Sequence, residues 1–317
     1  MRTIAYMAAV AAAVLLPAAG ASAQESAALP FLNVPVSPRT ASMGGVSSGM
    51  APSAYAQFDN VAAVPFLEGS FSAGASYGLW QPSSADNNMI ALGGIYNIGD
   101  RFGVTFGALA GINASYGLMD ASGADAGHFT PKDFKIGAGV SYRFMDNMSA
   151  GLALNYARSV LAPKSDLYKT SFDTFVADIQ IMYRLDDFSF SLSGNNLGVP
   201  VKSASGTGFS LPMNAELSAV YENDFERHHV SAGIEGGVYF GGPAAGFGSV
   251  GAEYMYNSII GIRAGYHYGS EKNGIPSFAS AGLGFRFCGV NIDAAYLIAG
   301  KDSPMKNTFS VGIGYSF

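Results

Sequence analysis

The chain has 317 residues, of which 49% are hydrophobic and only 13% are charged, and its formal net charge is −6. Intrinsic disorder is excluded because it requires low hydrophobicity and high charge, and the acidic balance argues against nucleic acid as a partner. Cys288 is the only cysteine, which excludes a disulfide framework and cysteine-based metal clusters.

Residues 1–23 have the pattern of a secretory signal peptide. Arg2 is the only charged residue among them, an apolar run follows it, and the segment ends in an A-x-A cleavage site at Ala23. The apolar run is too short to span a bilayer, which takes about 20 residues. We therefore predict cleavage near Ala23/Gln24 and export of the mature chain.

Residues 24–66 lack the period of a strand. They contain five prolines and a run of small residues over 41–49, and residues 54–64 are compatible with a short helix. Their apolar side chains are too frequent for a loose tail. We predict an N-terminal plug that enters a barrel from the periplasmic side.

Residues 67–317 alternate between apolar and polar side chains with a period of two. Between Phe134 and Phe144, for example, the even positions are apolar and the odd positions are small or charged. Segments of about ten such residues are typical of transmembrane β-barrels. Fourteen segments follow this pattern: 67–80, 88–98, 101–113, 133–144, 147–158, 171–184, 187–196, 212–223, 227–240, 247–256, 259–269, 277–287, 289–298 and 307–317.

The connections between these segments alternate in length. Those after even-numbered segments are one to a few residues long, whereas the longest, 114–132, 159–170 and 197–211, follow odd-numbered segments. Short periplasmic turns and long outer loops are typical of outer-membrane barrels, and a soluble β-sandwich has no reason to alternate in this way. The predicted fold is an all-β, fourteen-stranded antiparallel transmembrane β-barrel (67–317) in the outer membrane of a Gram-negative bacterium, in contact with its lipid.

The last segment alternates up to the final residue and carries aromatic side chains at Tyr315 and Phe317. An exposed aromatic edge strand would invite aggregation in a soluble protein. We predict that these two residues form the signal read by the barrel-assembly machinery.

The inward-facing positions carry balanced charge, five basic and five acidic side chains. Because an unpaired charge in a confined interior is costly, we predict that they form ion pairs, which either fill the lumen or act as a gate. The predicted lumen network comprises Lys135, Arg143, Asp178, Arg184, Glu216, Glu235, Glu253, Arg263, Arg286 and Asp293.

No motif predicts an enzyme, a metal site or a cofactor. A G-x-S-x-G match at 74–78 lies inside a predicted strand, whereas a nucleophile elbow needs a strand–turn–helix. The four histidines lack the spacing of metal ligands. A hydrolase using His128 or His267 stays open only as a minor alternative, because neither residue has an evident nucleophile beside it.

Several stretches, in this order, resemble the PorV/PorQ family. Phe31–Arg39 followed by Met43-Gly44-Gly45 resembles the start of its mature members. The stretches 194–198, 211–212, 262–266, 281–285 and 291–296 resemble its later strands. Where the family usually has Asn-Pro-Ala near the end of the plug, this chain reads DNVAA at 59–63. The plug residues singled out on this basis are Arg39, Met43, Gly44, Gly45, Asp59 and Asn60.

The resemblance implies a FadL-like barrel and a role in type IX secretion, with secreted cargo proteins or other secretion subunits as partners. The long loops would then contact them through Met119, Phe129 and Phe209. The alternative is FadL-like passage of small hydrophobic solutes, which predicts an apolar pocket above residues 41–66. A purely structural role is a third reading.

Overall fold

The computed structural model describes residues 28–82, 86–119, 123–164, 170–202, 206–240 and 244–317. Its helical elements are short: α1 (Pro38–Ser42) and the 3-10 helices Pro30–Asn33, Val61–Phe66 and Glu271–Asn273. The strands are β1 (Phe71–Trp80), β2 (Asn87–Ile98), β3 (Phe102–Ile112), β4 (Tyr116–Met119), β5 (Asp125–Phe129), β6 (Lys132–Met145), β7 (Met148–Val160), β8 (Ser171–Leu185), β9 (Phe188–Gly198), β10 (Val201–Lys202), β11 (Gly208–Phe209), β12 (Met213–Phe225), β13 (His228–Phe240), β14 (Ala245–Tyr256), β15 (Ile260–Gly269), β16 (Phe278–Phe287), β17 (Val290–Ile298) and β18 (Phe309–Ser316).

Fourteen of the described strands form one closed antiparallel barrel. Each pairs with its neighbours along the chain, β3 with β6 and β9 with β12 across the intervening hairpins, and β1 closes the barrel against β18. This confirms the predicted fourteen-stranded fold, with strand boundaries close to the predicted segments. Two hairpins, β4–β5 and β10–β11, form inside connections that were predicted as loops.

The two ends of the barrel differ in their connections. At one, the turn end, tight turns join the strands and use residues with positive φ, such as Asp100, Asp186 and Asn257. Such residues fit the tight turns whose twist matches that of the strands. The opposite end, the loop end, carries the long connections with both hairpins.

The outward face of the barrel is apolar. Its middle carries exposed aliphatic side chains such as Leu92, Leu154 and Ile179. Aromatic side chains form a band on either side of this zone. The band near the turn end includes Tyr96, Phe102, Tyr142, Tyr254, Phe285 and Tyr315, and the band near the loop end includes Tyr77, Tyr156, Phe175, Tyr266 and Tyr296. Among the described residues, no helix is long and apolar enough to cross a membrane.

Candidate functional site

Residues 28–66, the described part of the plug, pack against the inward face of the barrel. This described part begins at the loop end, where the amide of Ala28 donates to the carbonyl of Ser210 (2.8 Å), and descends to the turn end before β1. We name residues 28–36 the arm. The described plug therefore extends from the loop end to the turn end of the barrel, and its entry from the periplasmic side stays a prediction.

Glycines on the inward face form a seat for the plug backbone. A Cβ added to Gly251 or Gly265 would overlap the backbone at Met43 and Gly44, and one added to Gly151 would overlap Ala62. The small inward residues noted in the sequence thus admit the plug rather than open space. Gly44 has a φ of 70° and donates its amide to Ser280 Oγ (2.9 Å).

An ion-pair cluster joins α1 to the barrel wall. Arg39 Nε and Nη2 donate to the two carboxylate oxygens of Glu253 (3.1 and 2.7 Å). Arg263 Nε donates to the same carboxylate, and its Nη1 donates to Asp293 Oδ1 (2.7 Å). Glu222, which the sequence analysis did not single out, lies 3.6 Å from Arg39 Nη2. Glu253 thus links a guanidinium of the plug to a guanidinium of the wall.

A second anchor is Glu235 on β13. Its Oε2 accepts from the amides of Ser47 (3.1 Å) and Ser48 (2.9 Å) and from the Ser48 hydroxyl (2.8 Å). This carboxylate is therefore paired with backbone and hydroxyl donors rather than with a cation. Met43, fully buried, packs nearby in an apolar cluster with Val46, Met50 and Val220.

The last part of the plug is anchored by amide side chains. Asn60 accepts from the Ala62 amide (2.9 Å) and so caps the 3-10 helix Val61–Phe66, which forms without the proline of the resembled family. Gln180 on β8 accepts from the Val61 amide (2.6 Å), and Asn155 on β7 accepts from Gln57 (2.9 Å). The sequence analysis singled out only charged inward residues, although the alternation of apolar and polar residues also places Asn155 and Gln180 on the inward face.

The remaining predicted lumen charges are not arranged as ion pairs. Asp178 accepts from Asn155 Nδ2 (2.9 Å) and the Asn196 amide (2.7 Å), and Lys135 lies 5.5 Å from the ring centre of Phe58. Glu216 is buried on β12. Among the described residues, Lys135, Arg143, Arg184 and Arg286 form no ion pair within 4.0 Å. The expected pairing of all ten charges was therefore wrong, because plug groups provide many of the partners.

Phe66, where the plug ends, lies between two arginines at the turn end. The guanidinium carbons of Arg143 and Arg184 are 4.9 and 5.4 Å from its ring centre. Arg286, also near this end, is partly exposed. Cations against an aromatic face stabilise the contact, so Arg143 and Arg184 hold the plug where it meets β1.

The plug also encloses a small polar cavity of about 10 Å³, lined by Arg39, Thr40, Asp59 and Asn60 among others. Thr40 Oγ1 donates to Asp59 Oδ2 (3.2 Å). The pKa of the Asp59 carboxyl is raised to about 7, chiefly by burial and also by the charge of Glu235, while the Thr40 hydrogen bond and Arg39 oppose the shift.

The arm fills an apolar chamber at the loop end. Leu29, Phe31, Leu32 and Val36 are buried against a wall of four strands, β2, β3, β7 and β8, and the β10–β11 hairpin. The barrel and hairpin residues of this chamber are Met89, Ala91, Leu109, Ala157, Val176, Val201 and Leu211. The arm has few polar anchors, of which Asn33 Oδ1 accepts from Asn196 (2.9 Å) and the Val36 carbonyl accepts from Ser76 (2.8 Å).

A cavity of about 20 Å³ remains beside the arm. It is lined by Val36 and by barrel residues that include Trp80, Met89 and Leu297, and a volume of this size holds about one water molecule. The predicted apolar pocket is therefore present next to the arm, but it is nearly full.

The loop and terminal candidates lie at opposite ends of the barrel. Met119 is 81% exposed at the tip of β4, and the Phe129 ring packs on Tyr116 (5.9 Å). Phe209 packs edge-on against Phe172. Phe317 stacks near Phe71 (5.4 Å) and, through its backbone, closes β18 against the start of β1, and Tyr315 lies beside it (6.0 Å).

A closed fourteen-stranded barrel with an internal N-terminal plug defines the FadL-like class of fold. No protein-family model matches the chain, and no curated protein matches it. Among solved structures, the toluene transporter TbuX of Ralstonia pickettii is similar with a TM-score of 0.61 at 13% identity, over 88% of this chain and 98% of that one. The monoaromatic hydrocarbon channel CymD gives a TM-score of 0.63 at 13% identity over 90% and 98%.

The Pseudomonas putida toluene transporter TodX gives a TM-score of 0.57 at 16% identity, over 87% of this chain and 95% of that one. Identities this low show a shared fold and no more. They support the FadL-like barrel that the sequence resemblance implies, and PorV/PorQ membership stays a prediction.

Proposed function

We propose that the chain is an integral outer-membrane barrel that passes small hydrophobic solutes. The outward face supports the location, because an aliphatic zone between two aromatic bands matches the surface of barrels in a bilayer. The fold supports the activity, because it is shared with proteins described as toluene and monoaromatic hydrocarbon transporters.

The observation that carries the proposal is the apolar chamber at the loop end. Its wall presents Met89, Leu109 and Val201, and its contents are the apolar side chains of the arm. A hydrophobic solute that displaced the arm would exchange one apolar surface for another, whereas the lost polar contacts of the arm are few. The chamber is therefore a solute site that is occupied by the protein's own chain.

The ion-pair cluster lies between the chamber and the turn end, and in this conformation it blocks the passage of a hydrophobic solute. Arg39, Glu253 and Arg263 fill this level of the barrel with paired charges, and an apolar molecule there would separate them without replacing their hydrogen bonds, which is costly. Passage therefore comprises two steps, in which the solute first binds in the chamber and the plug then rearranges.

Trp80 provides a direct test of the first step. It is the only tryptophan of the chain and it lines the remaining cavity. We expect toluene to change the emission of Trp80 in the purified protein in detergent, and glycerol to leave it unchanged. A saturable change indicates a site rather than partition into the micelle.

Two alanine-to-phenylalanine variants form a matched pair for this titration. Ala91→Phe fills the cavity, whereas Ala110→Phe adds the same ring to the outward face of β3. We expect the first to abolish the saturable change and the second to retain it. Equal responses of the two variants would contradict a site in the chamber.

Type IX cargo receipt is the second candidate, and the sequence resemblance is the observation that favours it. The exposed Met119 and the hairpin aromatic Phe129 would then form the contact surface. A pull-down from detergent-solubilised membranes should recover secreted proteins with the parent and fewer with Met119→Asp. Recovery of no secreted protein would leave solute passage as the function.

A further inference from the structure

The outward face of the barrel is almost free of charge. Among the described residues of the fourteen barrel strands, outward positions carry a carboxylate, an ammonium or a guanidinium only at Lys132, Arg158 and Asp173. All three lie on neighbouring strands, β6, β7 and β8, and all three are exposed at the loop end. We name them the outer charge triad.

The strand register places the triad side by side. Arg158 is directly opposite Phe134 on β6 and Asp173 on β8, and Lys132 lies one pair further toward the loops. Directly opposed Cβ atoms lie about 5 Å apart and diagonal neighbours about 7–8 Å apart. A single group the size of a phosphate can therefore reach both cations at once.

The cations are available for binding. Neither Lys132 nor Arg158 forms an ion pair or side-chain hydrogen bond in the part of the chain that the structure describes, and Asp173 lies beyond 4.0 Å of any cationic group there. Both cations are exposed and lie on the loop side of the aromatic band, so they are free to contact groups from outside the protein.

The triad lies at the level where lipid headgroups begin. Tyr156 and Phe175, one pair closer to the middle of the barrel, pack against each other at 5.3 Å and belong to the aromatic band. Aromatic bands mark the interface between hydrocarbon and headgroups. Charged side chains just beyond this band meet phosphate and sugar rather than acyl chains.

We propose that the outer charge triad binds the headgroup of a phosphorylated glycolipid of the surrounding leaflet. Lys132 and Arg158 hold the phosphate, since a guanidinium and an ammonium are the usual partners of phosphate oxygens. Asp173 accepts hydrogen bonds from sugar hydroxyls and disfavours a headgroup that offers phosphate alone. The inference rests on the proposed membrane location and does not depend on solute passage.

The test is lipid binding by the purified, delipidated full-length protein, measured by native mass spectrometry. The probes are a phosphorylated diglucosamine lipid, the same lipid without phosphate, phosphatidylglycerol and inorganic phosphate. We expect the phosphorylated glycolipid to bind best and the double variant Lys132→Ser/Arg158→Ser to bind it at least about tenfold more weakly, since two charge-assisted contacts are lost. Added salt should weaken the parent in the same direction.

Lys272→Ser/Lys301→Ser is the matched control, because it removes two exposed lysines from other loop-end connections. It should bind as the parent does. Asp173→Asn should reduce the preference for the glycolipid over phosphatidylglycerol, and Arg158→Gln alone replaces the double variant if that variant fails to fold.

Three results would overturn the proposal. Equal binding of the dephosphorylated lipid would show that acyl and aromatic contacts suffice. Equal occupancy by inorganic phosphate would indicate a simple anion site, and undiminished binding by the double variant would exclude the triad. Fractionation of the parent with the outer membrane checks the location separately, so failure of that premise is distinguishable from failure of the lipid site.

Discussion

Removal of the Arg39 side chain should loosen the plug. Arg39→Ala deletes two charge-assisted hydrogen bonds to Glu253, at 3.1 and 2.7 Å, and leaves that carboxylate with Arg263. Loss of one partner of a buried pair costs about 3–5 kcal/mol when the other charge is stranded, and the retained Arg263 contact places the expected cost near 3 kcal/mol. That corresponds to a shift of roughly 100-fold in the docking equilibrium of the plug.

The shift is measured in two ways, by conductance across a planar bilayer and by limited proteolysis of the N-terminal segment. We expect Arg39→Ala to show frequent openings and faster cleavage within the plug. Arg101→Ala is the matched control, because Arg101 is exposed in a tight turn. If Arg39→Ala stays as closed and as protected as Arg101→Ala, the ion-pair cluster does not hold the plug.

Arg263→Ala tests whether the ion-pair cluster holds the plug in place or only fills the interior of the barrel. The substitution strands Asp293 in the wall, whereas Glu253 loses one of its two guanidinium partners and keeps Arg39. We therefore expect lower stability toward heat with less leakage than Arg39→Ala. Greater leakage from Arg263→Ala than from Arg39→Ala would show that the contacts of Arg263 within the wall, and not those of Arg39 on α1, keep the barrel closed.

Three further outcomes test the plug seat, the terminal strand and the polar cavity. Gly265→Ala should open the channel by pushing the plug backbone away, whereas Gly94→Ala, whose added Cβ would make only an ordinary contact with the Ser72 carbonyl oxygen at 3.9 Å, should not; equal conductance would contradict the seat. Deletion of Phe317 should lower the amount of heat-modifiable barrel in the outer membrane, because the carbonyl of Phe317 accepts from the amides of Ser70 and Phe71; unchanged surface levels would refute this. The parent should lose stability as pH rises from about 4 to about 7, because the pKa of Asp59 is raised to about 7 in the fold and its neutral form is favoured there; Asp59→Asn should flatten this slope in pH-dependent melting, and an unchanged slope would exclude Asp59 as its cause.

The barrel was predictable from the sequence because its determinants are local. Alternation with a period of two sets which side chains face outward, and turn residues such as Asp186 and Asn257 mark where strands end. The hairpins β4–β5 and β10–β11 were not predicted, because segments as short as Val201–Lys202 carry too few residues to show a period.

The interior was less predictable, because its contacts join residues that are far apart in the chain. Arg39 and Glu253 are separated by 214 positions, and no local pattern identifies such a pair. Glu235 was expected to pair with a cation, yet it accepts hydrogen bonds from the backbone amides of Ser47 and Ser48. Such donors cannot be predicted from residue types, because every residue except proline has a backbone amide. The position of the arm could not be predicted either, since its apolar residues indicate that it is buried but not at which end of the barrel.

The separation between Arg39 and Glu253 also has a consequence for the order of biogenesis. The plug binds β7 and β8 through Gln57 and Val61, but α1 completes its ion pairs only on β14. A half-built sheet therefore lacks the partner of an otherwise buried guanidinium, and long-range closure of this kind is slow because the loop entropy must be overcome first. We therefore expect the plug to dock before the terminal strand β18 closes the barrel against β1.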